Sequence, residues 1–155
     1  MRTYERIFGS GPKGMFISIS LLIVSDYLED FVGLRGIFTS DLARFSTVIL
    51  FFLLGIALFI WSLKSLSPED RGKKLVTEGA YKYFRHPVYA AFLLFINFGI
   101  AFLLNNLIYL FWVVILFPVW SFIIRGEEAL MKNAFNEEYD AYCKNTWRFV
   151  PKLWH

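Results

Sequence analysis

The stretch LVTEGAYKYFRHPVY, residues 75–89, precedes the first of two closely spaced apolar runs. A second polar stretch, GEEALMKNAFNEEYDAY, occupies residues 126–142 after the second run. The runs cover residues 87–104 and 107–124, and only Asn105 and Asn106 join them. Two helices joined by so short a turn form an antiparallel hairpin. The two polar stretches are therefore predicted to meet at the same side of a membrane.

The composition is that of a membrane protein. The 155 residues are 57% hydrophobic and 20% aromatic, whereas soluble domains are roughly 45–50% apolar. One cysteine excludes a disulfide framework, and with only two histidines a His/Cys metal site is not expected. A net charge of +3 gives no support for nucleic acid binding. We expect an all-α, multi-span membrane protein forming a single domain over residues 1–155.

Four membrane spans are predicted, near residues 14–30, 45–64, 87–104 and 107–125. The last three approach the roughly 20 apolar residues that cross hydrocarbon. The first is shorter, because Asp26 interrupts it, and a re-entrant segment is the alternative. An amphipathic helix should follow the fourth span, with Met131, Phe135, Tyr139 and Tyr142 on one face.

The basic residues indicate an orientation. They are concentrated before the first span, in the connection 64–86 and after Ile124, while the acidic loop 26–44 has only Arg35 and Arg44. Lys and Arg accumulate on the cytoplasmic side of membrane proteins. Both termini and both polar stretches are therefore predicted to be cytoplasmic.

The segment GSGPKG, residues 9–14, matches the dinucleotide fingerprint G-x-G-x-x-G formally. The fingerprint acts at a strand-to-helix turn, and here an apolar run follows with no strand before it. We interpret the segment as a flexible lead-in to the first span.

Arg85, His86 and Pro87 mark the start of the third span. Proline favours the first helical position and disfavours helical geometry in the residue before it. The free N–H groups of a first helical turn attract anions, so this point could hold a carboxylate or phosphate; the alternative is a basic pair beside lipid headgroups.

Glu127 and Glu128 directly follow the fourth span, and the hairpin returns them to the side of His86. Paired carboxylates there could capture a cation or ribose hydroxyls; alternatively they only favour the start of the tail helix. The tyrosines near both stretches, Tyr81, Tyr83, Tyr89, Tyr139 and Tyr142, suit cation–π contact with a sulfonium or an interfacial belt.

Taken together, Gly79-x-Tyr81-x-x-x-Arg85-His86-Pro87-x-Tyr89, a hairpin, and Glu127-Glu128-x-Leu130-x-x-x-x-Phe135-x-x-x-Tyr139-x-x-Tyr142 resemble the isoprenylcysteine carboxyl methyltransferase family. The pattern is also similar to that of the related phospholipid methyltransferases. It covers residues 75–151, including an ending, Trp147-Arg148-Phe149-Val150-Pro151, similar to the family's tail. Ala90 and Ala91 depart from the pattern, since many relatives have a glycine there.

The resemblance implies an S-adenosylmethionine-dependent membrane methyltransferase without metal. It implies that the cofactor is bound by Leu75, Val76, Gly79, Tyr81, Arg85, His86, Pro87, Tyr89, Glu127, Glu128, Tyr139 and Tyr142. Arg148 and one of Glu127 and Glu128 would face the acceptor, a lipid-like or small membrane-accessible carboxylate, amine or thiol. Two alternatives are an NADPH-dependent enzyme resembling sterol reductases and a non-enzymatic scaffold or transporter module. The sequence does not indicate an oligomeric state.

Overall fold

The computed structural model describes residues 9–66 and 73–152 and is all-α in this part of the chain. One isolated bridge joins Phe84 to Trp147. The helices, in chain order, are α1 (Gly11–Val32), α2 (Asp41–Ser65), a 3-10 turn (Gly79–Lys82), α3 (Pro87–Leu104), α4 (Leu107–Ile123) and α5 (Arg125–Asn145). A π-helical turn, Phe92–Ile96, lies within α3. The predicted fold class is confirmed.

Three helices among the described residues are long and apolar enough to cross a membrane: Asp41–Ser65, Pro87–Leu104 and the helical stretch that starts at Leu107. The predicted third span matches its helix at both ends. Helix α1 is long enough, with 22 residues, but its polar residues keep it outside this set. Its position therefore has to be judged from its packing.

Helix α1 runs antiparallel to α4 along the whole length of that helix. At one end Ser10 contacts Glu127, and at the other Glu29 accepts a hydrogen bond from Asn106 at 2.9 Å. Between them, Ser18 accepts a hydrogen bond from the Trp120 indole at 2.9 Å. Helix α1 thus lies beside a spanning helix over the whole length of that helix, and a fourth span stays a prediction.

The two-residue turn between α3 and α4 forms as predicted. Asn105 adopts the left-handed conformation (φ 57°) that ends α3, and the Asn106 side chain caps α4 by accepting the Ile108 N–H at 3.0 Å. Asn105 also donates to the carbonyl of Phe38 in the loop after α1. The turn and this loop thus form one polar end of the bundle, opposite residues 126–128.

The core lies where α3 and α4 pack against each other and their neighbours. Its fully buried side chains include Leu93, Val113, Leu116, Trp120 and Ile124. Helix α2 approaches α3 closely at Gly55, where an added Cβ would lie 2.6 Å from Ile96. Small residues allow such approach between membrane helices, where dispersion contacts replace the hydrophobic effect.

Candidate active site

Backbone pairing joins the connection before α3 to the carboxy-terminal tail. The Arg85 N–H donates to the Trp147 carbonyl at 2.8 Å, and the His86 N–H donates to the Arg148 carbonyl at 3.0 Å. A third bond runs from the Lys152 N–H to the Tyr83 carbonyl at 3.3 Å. These bonds make the tail beyond α5 part of the same surface. The two polar stretches also meet as predicted, since Arg85 lies beside Glu128 and the Tyr142 hydroxyl donates to the Tyr81 carbonyl.

His86 stands at the junction of this connection with α3. Its backbone is non-helical (φ −127°, ψ 66°), and Pro87 occupies the start of the helix, as the sequence predicted. The imidazole stacks on Tyr89 with ring centroids 5.7 Å apart. Proline at this position removes an N–H that would otherwise be unsatisfied. The His86 ring lies against Glu127 and Glu128 in the first turn of α5.

Glu128 is the anionic centre of the cluster. Arg148 binds it through two nitrogens, with Nη2 2.6 Å from Oε2 and Nε 3.0 Å from Oε1. Arg85 Nη1 lies 3.4 Å from Oε1, and His86 Nε2 lies 3.6 Å from the same oxygen. The Glu128 side chain is only 12% exposed, so its charge is balanced almost entirely by protein groups.

The pKa of Glu128 reflects these neighbours. Burial raises it, but His86, the hydrogen bonds from Arg148 and the charge of Arg85 outweigh burial and lower the pKa from 4.5 to about 2. The same hydrogen bonds raise the pKa of Arg148. Glu128 is therefore a carboxylate at neutral pH.

Glu127 lies on the other side of the imidazole. Its Oε2 is 3.7 Å from His86 Nδ1, and its Oε1 accepts a hydrogen bond from the Tyr89 hydroxyl at 2.8 Å. Oε1 also accepts the backbone N–H of Ser10 at the start of α1. The adjacent glutamates thus share His86 but otherwise take different partners: Glu128 binds Arg85 and Arg148, while Glu127 contacts Tyr89 and α1.

Two buried nitrogens in this cluster, Arg85 Nε and His86 Nε2, have no hydrogen-bond partner within the described residues. Buried polar atoms are rarely left unsatisfied. Among the described residues both nitrogens are thus buried without a partner at hydrogen-bond distance, and His86 Nε2 lies 3.6 Å from Glu128 Oε1.

Leu75, Tyr139 and Tyr142 form a second, apolar cluster behind the charged one. The Tyr142 hydroxyl donates to the Tyr81 carbonyl at 2.6 Å and is 3.2 Å from the Phe84 carbonyl. Burial raises the pKa of Tyr142, and burial together with the charge of Glu128 raises that of Tyr139. These tyrosines stay neutral and brace the connection against α5.

The remaining predicted residues lie farther along the connection. Val76 is half-buried beside Leu75. Gly79 has φ +59° and packs against Ser65 of α2, and Tyr81 supplies the carbonyl that Tyr142 binds. The structure thus gathers Arg85, His86, Tyr89, Glu127, Glu128 and Arg148 into one cluster. It gives Gly79 a contact with α2.

Three contributors to this cluster were not predicted from the sequence. Ser10 binds Glu127, Trp120 packs on Tyr89 with ring centroids 4.8 Å apart, and Cys143 Sγ accepts a hydrogen bond from Arg85 Nη1 at 2.8 Å. The GSGPKG segment was the available signal for Ser10, but it was interpreted as a flexible lead-in. Instead, residues from Gly11 onward are helical.

The fold and the cluster together define a class: an integral membrane protein with a built, charged site at one end of its helix bundle. The chain belongs to the isoprenylcysteine carboxyl methyltransferase (ICMT) family, whose model matches residues 42–133. That match includes His86, Glu127 and Glu128 but ends before Arg148.

A curated relative is a Protein-S-isoprenylcysteine O-methyltransferase from Schizosaccharomyces pombe (strain 972 / ATCC 24843). It is 33% identical over 88 residues, which is 56% of this chain and 37% of that protein. The matched region thus spans little more than a third of the relative's length.

Proposed function

We propose that this chain is an S-adenosylmethionine-dependent methyltransferase that acts on a lipid-like acceptor at the membrane surface. The observation that carries the proposal is the cluster itself: Arg85, His86, Glu127, Glu128 and Arg148 converge where α3 begins and α4 ends. Membership of a methyltransferase family favours methyl transfer over an NADPH-dependent reductase or a scaffold.

The donor set fits the cofactor. The cofactor has a carboxylate, an ammonium group and ribose hydroxyls, and the cluster offers both charge signs within a few ångströms. The unpartnered nitrogens of Arg85 and His86 suit the carboxylate. Glu127 Oε2, which faces His86, suits a hydroxyl or ammonium group. Tyr89 lies beside both, so its ring forms one wall of the pocket.

When bound, S-adenosylmethionine supplies a methyl group on a sulfonium, which becomes a neutral thioether after transfer. The chain's own groups have to position the reactants and exclude water. Arg148 is the most exposed of the charged residues, at 34%. It uses Nε and Nη2 for Glu128, so its Nη1 edge can orient an acceptor carboxylate. A carboxylate acceptor needs no base, whereas an amine or thiol would have to pass a proton to a glutamate.

A lipid-like acceptor is consistent with the surroundings of the cluster. An apolar cavity of about 180 Å³ lies between α2 and α3, lined by Gly55, Ile56, Phe59, Ala91, Phe92 and Ile96. Phe92 is one helical turn along α3 from Tyr89, so a hydrocarbon chain in this cavity would lie close to the charged cluster. The positive-inside pattern favours a cytoplasmic position for this end of the bundle, where the polar cofactor is available.

The test is calorimetric binding of S-adenosylmethionine and its demethylated product to the purified protein in detergent. His86→Ala and Glu127→Ala should each weaken binding about tenfold or more, the usual effect of removing a hydrogen bond to a charged group. Glu138→Ala, an exposed position on the same helix, is the control and should bind like wild type. No binding by the wild-type protein, or NADPH oxidation by it, would overturn the assignment.

A further inference from the structure

The GSGPKG segment contacts the charged cluster, although it lies outside the region matched to the family. The Ser10 N–H and the Tyr89 hydroxyl both donate to Oε1 of Glu127. Ser10 Oγ is also 3.5 Å from the carbonyl of Ile123, at the end of α4. One oxygen of Glu127 is therefore held by two donors, while Oε2 faces His86.

Close packing explains two of the three glycines of the segment, Gly9 and Gly14. A Cβ on Gly9 would lie 2.6 Å from Glu127 Oε1 and 3.0 Å from the Tyr89 hydroxyl, and a Cβ on Gly14 would lie 2.5 Å from the Trp120 ring. Real side chains do not approach so closely. Gly9 also has φ +55°, a conformation that glycine adopts without strain. The glycine spacing that resembles a nucleotide-binding fingerprint thus allows the start of α1 to pack closely against Glu127 and Trp120.

We propose that the turn Gly9–Ser10 positions Glu127 for the cofactor. With Oε1 fixed by Ser10 and Tyr89, the carboxylate keeps one rotamer and presents Oε2 to a hydroxyl or ammonium group. A group that is already oriented loses less conformational freedom on binding. The inference rests on the proposed function, and it makes α1 a part of the site.

Three glycine substitutions test the positioning role in the full-length protein. Gly9→Ala creates a steric overlap with Glu127 and also places alanine at an unfavourable φ. Gly33→Ala introduces a comparable φ (+60°) at the far end of α1, with nothing within 4 Å of the new Cβ. Gly11→Ala places its Cβ 3.7 Å from the Tyr89 ring, which is ordinary contact. We expect Gly9→Ala alone to weaken S-adenosylmethionine binding, by about tenfold or more.

A double-mutant cycle separates positioning from general damage. In the Glu127→Ala background the carboxylate is gone, so Gly9→Ala should cause no further loss of binding. Melting temperatures of the ligand-free variants provide a parallel cycle, in which the two substitutions should again be non-additive. If Gly9→Ala does not fold, Ser10→Pro is the second variant: it removes the N–H that Glu127 Oε1 accepts and should weaken binding to a similar degree.

The outcomes are distinct. Binding by Gly9→Ala equal to that of Gly33→Ala would overturn the positioning role and leave the proposed function standing. Absence of binding by the wild-type protein would overturn the proposed function. In that case the melting temperatures still test the Gly9–Glu127 coupling. If the changes in melting temperature caused by Gly9→Ala and Glu127→Ala add up in the double variant, the coupling is refuted; if they do not add up, it is supported.

Discussion

Replacing Glu128 by Gln should remove the anion around which the site is built. Gln keeps the size of the side chain but not its charge, so Arg148 loses a two-nitrogen ion pair and Arg85 loses its neighbouring carboxylate. Removing one partner of a buried ion pair usually costs about 3–5 kcal/mol. The Arg148 side chain is 34% exposed, and water screens that pair, so we expect the lower end, about 3 kcal/mol.

The pKa of Glu128 gives a second route to this magnitude. The pKa falls from 4.5 to about 2 on folding, and each unit corresponds to about 1.4 kcal/mol. This gives at most about 3 kcal/mol, because water screens part of the interaction with Arg148. Because the folded state binds this proton less tightly than the unfolded chain, the contribution is complete above about pH 5. It is lost as the pH falls toward 2.

The assay is unfolding of the purified protein in detergent between pH 7 and pH 3, with wild type, Glu128→Gln and the exposed control Glu138→Gln. At pH 7 Glu128→Gln should be less stable than wild type by about 3 kcal/mol. That difference should shrink steadily below pH 5, while Glu138→Gln follows wild type throughout. A difference between Glu128→Gln and wild type that does not change with pH would refute this account of the cluster.

Two further substitutions probe hydrogen bonds outside the charged cluster. Asn106→Ala should destabilise the protein by about 2 kcal/mol, because it removes the cap of α4 and the bond to Glu29. Thermal unfolding measures this, with the exposed Asn133→Ala as the control. Equal melting temperatures for the two variants would contradict the prediction. Tyr142→Phe should cost about 1 kcal/mol by removing the bond to the Tyr81 carbonyl, and it should speed proteolysis of the tail. Unchanged proteolysis relative to the exposed Tyr27→Phe would show that the tail is held without that hydroxyl.

Hydrophobic runs and turn residues were sufficient to predict α3 and α4. Their ends are set locally, by Pro87 at one end and by the Asn105–Asn106 turn between them. The same hairpin constrains Glu127 to return to the side of His86. The proximity of these two residues could therefore be derived from span lengths alone.

The contribution of α1 could not be derived in this way. Glu127 and Ser10 are separated by 117 positions, and no local pattern indicates which helix packs along α4. That choice depends on side-chain fit, such as Gly14 against Trp120. The predicted lead-in is instead the start of α1, and its contacts with Glu127 and Trp120 come from residues more than 100 positions away.

The contacts of the Arg148 side chain could not be predicted from the sequence either. The family resemblance suggested that it faces the acceptor, and that role stays a prediction. The structure adds that Arg148 is bound by Glu128 through two nitrogens, which leaves a single edge for any substrate. A resemblance transfers residue types, whereas the partners of each atom depend on three-dimensional packing.

The sequence by itself determined the membrane class, the antiparallel hairpin and the meeting of residues 75–89 with 126–151. These follow from apolar run length, turn length and proline geometry, all of which are local. Only the tertiary structure decided how the two glutamates divide their partners, with Glu128 on the basic side chains and Glu127 on Tyr89 and α1. Hydrogen bonds act over about 3 Å, so their partners are fixed only once the helices have packed.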